Sequence, residues 1–183
     1  MKVPGFITPN TLTVARIALI PFGVYVLFLD GGDNAKYQIL AWTIFFLLGL
    51  TDILDGRWAR HSNRITALGT FLDPVADKAL IGSAMISLSI QDRFPWWITI
   101  LILTREIGIT LFRLMVIKNG VIPASKGGKL KTLMQNFGVG FFMLPFPSWL
   151  EWFRVAFISV AIVLTVTTAY DYIRTWQKGS SRE

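Results

Sequence analysis

Six apolar stretches separated by short polar breaks organise the chain, at 10–29, 37–51, 70–90, 94–117, 132–147 and 150–173. A helix needs about 20 apolar residues to cross a bilayer. The second and third stretches fall short of that in purely apolar terms, because acidic residues interrupt one end of each. Gly31-Gly32, Pro95, Gly127-Gly128, Pro145 and Pro147 stand at the breaks and mark connections. The chain carries no internal repeat, low-complexity run or long linker, so it reads as one six-helix domain over 1–178 with a disordered tail at 179–183. Lys2 and the first apolar run lack a small-residue cleavage site, which predicts an uncleaved first span.

Composition turns the pattern into a class. Of the 183 residues 53% are hydrophobic and only 16% charged, against about 25% charged in an ordinary soluble domain. A chain this short has too little interior to hide so much apolar side chain from water. This composition argues against a soluble cytoplasmic enzyme and against a disordered chain. The expected fold is an all-α integral membrane protein of six transmembrane helices. With no Cys there is no disulfide framework, zinc–thiolate site or thiol nucleophile, and one His excludes multi-histidine metal sites. The net charge of +7 points to membrane lipids of an anionic surface, not to nucleic acid.

Charge asymmetry orients the helices. If six spans alternate, one side carries Asp30, Asp33, Lys36, Asp92, Arg93, Glu151 and Arg154, while Arg105 and Glu106 fall inside a span. The other side then holds 14 of the 18 basic and 6 of the 11 acidic residues. The positive-inside rule makes that side cytoplasmic, with both termini on it. Trp96, Trp97, Trp149 and Trp152 gather at the outer ends of the last three spans, where an interfacial aromatic belt belongs.

The region with chemistry is 52–77, DILDGRWARHSNRITALGTFLDPVAD. Asp52 and Asp55 are three apart at the end of the second span; Asp73 and Asp77 are four apart at the start of the third. Each pair therefore shares a helix face, and consecutive antiparallel helices bring both pairs to the cytoplasmic end. From Tyr37 to Asp52 a helix rises about 22 Å, less than the roughly 30 Å hydrocarbon core, so the carboxylates sit slightly inside the leaflet. Four ionised carboxylates there need cations to neutralise them. Hard oxygen donors without His or Cys favour Mg²⁺ or Mn²⁺. Four of them suit two metals that share ligands and clamp a phosphoryl group. Gly56 leaves room for a ligand near the helix backbone, Ala59 keeps the groove open, and Arg60 can grip phosphate through two bonds. The plainer reading is a solvated acidic cap facing the basic loop 57–64, but surface charges need not pair on two adjoining helix faces.

This run resembles the signature of the CDP-alcohol phosphotransferase family, D-x2-D-G-x2-A-R-x8-G-x3-D-x3-D. Asp52, Asp55, Gly56, Ala59, Arg60, Gly69, Asp73 and Asp77 match every fixed position. The resemblance implies a membrane enzyme that moves a phosphatidyl group from a CDP-linked lipid to an alcohol and releases CMP. It implies two Mg²⁺ ions bridged by Asp52 and Asp73, with Asp55 completing one site and Asp77 completing the other and acting as general base. Gly56, Arg60 and Thr66 would contact the cytidine diphosphate, with Asn10, Thr13 and Arg16 near the CDP-diacylglycerol. A homodimer is also implied.

The acceptor must be read from other motifs. Leu103–Ile109 (LTREIGI) with Arg113, 125–132 (SKGGKLKT) with Gln135, and the opening Asn10-Thr11-Leu12-Thr13, Arg16 and Pro21 resemble the bacterial phosphatidylglycerophosphate synthase branch of the family. That branch implies glycerol 3-phosphate as acceptor and the bacterial inner membrane as location, with the site facing the cytoplasm. The acceptor is a dianion and needs cations: Arg105 and Arg113 lie eight apart on nearly one helix face, and Lys126, Lys129 and Lys131 enter the next span from the cytoplasmic side, near water. Adjacent helix residues diverge by about 100°, so a local pair between Arg105 and Glu106 is disfavoured and Arg105 is expected to face a cavity. Arg16 either snorkels or serves the nucleotide; His61 reads as a loop residue. Phe45-Phe46 and Phe141-Phe142 read as lipid-facing or helix-packing, and Gly138 and Gly140 as close-packing positions. Two rivals stay open: the same chemistry on inositol phosphate, inositol or serine, and a divalent-cation carrier. The carrier would need acidic residues along a path through both membrane halves, and the outer half offers only loop acids.

Overall fold

The structure is a computed structural model that describes residues 9–61, 67–116 and 126–180. Among these residues it is all helical: α1 Pro9–Phe28, α2 Ala35–His61, α3 Ala67–Ile90, α4 Trp96–Val116, α5 Lys126–Met143 and α6 Glu151–Ser180, with 3-10 turns at Leu29–Gly32 and Ser148–Leu150. Each apolar stretch has become a helix, and α2, α5 and α6 outrun theirs the furthest. α2 continues through the acidic segment to His61; α5 begins at Lys126, so Gly127-Gly128 lie in its first turn and not in a connection; α6 runs to Ser180, past the expected start of the tail at Gly179. Apolarity marks only the part of a helix that meets hydrocarbon, whereas a helix can continue into water with its backbone bonded internally. Among the described residues, two segments are long and apolar enough to cross a membrane, Thr11–Gly32 and Ser148–Asp171, and Ala35–Thr51 is a shorter apolar helix.

The sequence reads as one domain, while the chain divides into two compact units, Met1–Arg93 with Met143–Pro145, and Phe94–Phe142 with Phe146–Glu183. In the first, α1 packs against both α2 and α3, burying Ile20, Val26 and Leu27 from α1, Ala41, Phe45 and Leu48 from α2, and Leu80, Ala84, Met85 and Leu88 from α3. Gly23 makes the α1–α2 approach close: a Cβ there would lie 3.0 Å from the Phe45 ring. Phe45 is buried and Phe46 exposed, so that pair divides between packing and outward-facing roles.

The α1–α2 connection turns through left-handed backbone at Asp30 (φ 52°), Gly31 (φ 71°) and Gly32 (φ 89°). It is held by two amides: Gln38 Nε2 donates to the Gly32 carbonyl at 2.7 Å, and Gln91 Nε2 donates to the Leu27 carbonyl at 2.9 Å. A Cβ on Gly32 would collide with the Gln91 side chain. Gly32→Ala, strained in φ and in space, should destabilise the protein by about 1–3 kcal/mol; thermal unfolding in detergent checks this, and an unchanged midpoint would refute it. α3 ends in a Schellman pair with Asp92 (φ 53°) in the usual glycine place. There Arg93 N–H donates to the Leu88 carbonyl at 3.0 Å and Asp92 N–H to that of Ser89 at 3.2 Å.

In the second unit α4 packs on α6, and Ile98, Ile102, Val139, Phe142, Ile158 and Ala161 are buried. Gly138 serves the close packing expected of it, since a Cβ there would lie 3.3 Å from the Ile158 backbone nitrogen. Phe141 stacks on Phe146, tilts against Phe137 and Phe153, and meets Phe157 edge-on. Val155, Val160, Val163 and Val166 of α6 are exposed, as are Trp96, Trp97, Trp149 and Trp152 around the starts of α4 and α6. Apolar side chains exposed in that number suit hydrocarbon, and indoles at helix ends suit its border.

Candidate active site

The aspartate signature lies on two consecutive helices of the first unit. α2, prolonged beyond its apolar stretch, carries Asp52, Asp55, Gly56, Ala59 and Arg60 in helical backbone, which keeps Asp52 and Asp55 on one face. α3 begins at Ala67 and carries Gly69, Asp73 and Asp77. The side chains of Asn10, Asp52, Asp55 and Arg60 lie outside the described residues, as does Thr66 altogether. Pro74, inside α3 beside Asp73, removes the amide that would bond the carbonyl four residues back, in the turn just before the carboxylates.

Asp73 is exposed and Asp77 half-buried and engaged with a partner. α1 joins them: the Thr13 hydroxyl, 2% exposed, donates to Asp73 Oδ1 at 2.9 Å. Sequence reasoning assigned Thr13 to the nucleotide lipid; its observed partner is a carboxylate of the signature. Arg16, three residues on along the same face, is buried at 2% exposure, so it packs within the protein and does not snorkel. Among the described residues no three acidic, His or Cys side chains gather. The two carboxylates that are described stand one helical turn apart as hard oxygen donors, one of them steadied by a hydroxyl. That donor chemistry fits Mg²⁺ or Mn²⁺.

The second unit holds a separate charged cluster. Arg105 Nη1 donates to Glu106 Oε1 at 2.9 Å, and Arg105 Nη2 to Thr168 Oγ1 of α6 at 3.0 Å. Lys131 Nζ of α5 pairs with the same Glu106 oxygen. This corrects two expectations. Arg105 does pair with its neighbour: the 100° divergence applies at the helix surface, but both side chains are long, and Thr168 and Lys131 draw them to a common point. Lys131 is not near water, being 3% exposed, because Glu106 supplies the countercharge that lets an ammonium be buried. Sequence reasoning missed Glu106 and Thr168 as members of this cluster. The signal for Glu106 was the one that singled out Arg105, a charge in mid-span; Thr168 carried none. Arg113, Lys126 and Lys129 lie on α4 and α5, with side chains outside the described residues. Gln135 is buried at 2% exposure.

Comparison with known proteins bears on both clusters. The family model for CDP-alcohol phosphatidyltransferase matches residues 6–167. A Mycobacterium tuberculosis protein named probable phosphatidylglycerophosphate synthase is 48% identical over 164 residues, covering 90% of this chain and 78% of that one. A Bacillus subtilis protein named CDP-diacylglycerol–glycerol-3-phosphate 3-phosphatidyltransferase is 36% identical over 186 residues, covering 94% and 96%. A Haemophilus influenzae protein of the same name is 34% identical over 181 residues, covering 96% and 95%.

Proposed function

Because the chain belongs to the CDP-alcohol phosphatidyltransferase family, we propose that it transfers the phosphatidyl group of CDP-diacylglycerol to glycerol 3-phosphate, giving phosphatidylglycerophosphate and CMP in phospholipid biosynthesis. The observation that carries this reading is near full-length similarity to relatives named for that reaction in a chain that keeps every fixed residue of the aspartate signature.

Asp52, Asp55, Asp73 and Asp77 are the residues that would hold two Mg²⁺. Metal held there supplies charge neutralisation for a diphosphate. Thr13 orients Asp73. Asn10, Thr13, Arg16, Gly56, Arg60 and Thr66 receive the CDP-diacylglycerol head. Asp77 takes the proton from the C1 hydroxyl of glycerol 3-phosphate as that oxygen attacks the phosphorus bearing the diacylglycerol oxygen. The bond from that phosphorus to the CMP oxygen breaks, and CMP leaves. Arg105, Arg113, Lys126, Lys129 and Lys131 neutralise the acceptor's phosphate. Six membrane spans in one catalytic domain over 1–178, cytoplasmic termini and active site, an inner-membrane location and a homodimer complete the proposal; charge asymmetry supports the orientation.

CMP release with CDP-diacylglycerol and, in turn, glycerol 3-phosphate, inositol phosphate, inositol or serine tests the acceptor. Glycerol 3-phosphate should give the highest kcat/KM, and a clear preference for another alcohol would overturn the assignment. Within that assay Arg105→Ala should raise KM for glycerol 3-phosphate far more than that for CDP-diacylglycerol, at a cost of about 2–5 kcal/mol by analogy with buried charge pairs. Arg105→Lys should not restore it, because an ammonium lacks the planar two-point grip. Impaired use of the nucleotide lipid with glycerol 3-phosphate spared would misplace the acceptor site.

A further inference from the structure

Glu106 is an acid that the sequence places in the middle of a span, away from the aspartate signature, and the reaction as proposed above leaves it without a task. Its Oε1 takes the Arg105 guanidinium at 2.9 Å and the Lys131 ammonium as well. Two helices thereby meet on one carboxylate oxygen, α4 through Arg105 and Glu106 and α5 through Lys131, and α6 joins through Thr168, whose hydroxyl accepts from Arg105 Nη2. Lys131 is 3% exposed, and the Arg105 and Glu106 side chains 17% each. The cluster of Arg105, Lys131 and Glu106 sums to one positive charge. It also keeps an unmet donor, since Arg105 Nε is buried and has no hydrogen-bond partner. A buried guanidinium N–H facing no acceptor is costly, and an anionic oxygen is the group that would satisfy it.

We propose that Glu106 is a positioning residue for acceptor recognition. It aligns Arg105 and Lys131 and leaves the Arg105 Nε edge for a phosphate monoester. This rests on glycerol 3-phosphate being the acceptor. The physical logic is preorganisation: two long cationic side chains each lose rotamer freedom when they grip a phosphate, and a shared carboxylate removes that freedom beforehand. Glu106 touches no reacting atom in this scheme and acts through its two cations.

The test is steady-state kinetics of the full-length, Mg²⁺-supplied enzyme with each substrate varied separately, for wild type and Glu106→Gln. The glutamine keeps shape and removes charge. KM for glycerol 3-phosphate should rise at least about tenfold, while KM for CDP-diacylglycerol stays within about twofold and the thermal midpoint holds within a few degrees. Glu106→Asp, which retains charge on a shorter arm, should restore part of the loss. If Glu106→Gln does not accumulate, Glu106→Asp must itself show the selective rise. Equal changes in both KM values, or no change in either, overturn the positioning role while leaving the acceptor assignment intact. A wild-type enzyme that ignores glycerol 3-phosphate overturns both.

Discussion

Asp77→Asn should lower turnover by about three orders of magnitude and leave CDP-diacylglycerol binding measurable. Positioned general acid–base groups contribute roughly 10²- to 10⁴-fold, and the amide that replaces the carboxylate can still ligate weakly but cannot accept a proton. Asp77 sits four residues after Asp73 on α3 and is half-buried. Raising Mg²⁺ distinguishes its two tasks. If Asp77 were only a ligand, excess metal would recover the rate; on the proposal that it is also the base, the rate should stay low at every Mg²⁺ concentration. Full recovery by metal alone would reduce Asp77 to a ligand.

Asp73→Asn should abolish turnover and weaken divalent-cation binding together, by at least about 100-fold in affinity, since even residues one step removed from a metal typically cost 10- to 100-fold. Asp52→Asn should behave alike, because both carboxylates are assigned to two ions at once. Mn²⁺ binding followed by electron paramagnetic resonance reads the affinity without requiring activity. Thr13→Val, which keeps volume and deletes the hydroxyl that donates to Asp73 at 2.9 Å, should weaken Mn²⁺ less than either aspartate change. Near-normal activity of Asp52→Asn or Asp73→Asn at ordinary Mg²⁺ would exclude the shared-ligand arrangement.

The helices were legible in the sequence because a membrane solvent enforces one rule, that long apolar stretches must bond their own backbone. Their ends were less legible: no continuous apolar stretch marks 52–61, 126–131 or 174–180, yet these residues continue α2, α5 and α6. The aspartate spacing was readable because each pair needs only the local periodicity of its own helix. Contacts between distant residues were not. Thr13 and Asp73 are 60 positions apart, and no spacing rule links them. Arg105 misled for a similar reason. Its neighbour Glu106 was judged on a two-residue geometry, whereas Lys131 and Thr168, 25 and 63 residues from their partners, decide where the charges meet. Long side chains in a low-dielectric interior follow countercharge more than backbone angle.

The central claim is tested most directly by following labelled glycerol 3-phosphate into lipid. Purified enzyme in detergent, given CDP-diacylglycerol, Mg²⁺ and glycerol 3-phosphate labelled in its carbon chain, should move the label into a chloroform-soluble phosphatidylglycerophosphate with one CMP released per lipid formed. A chelator should stop both together, and restored Mg²⁺ should restart them. Release of CMP with the label left in the aqueous phase, or labelled lipid formed undiminished in the presence of chelator, would contradict the account.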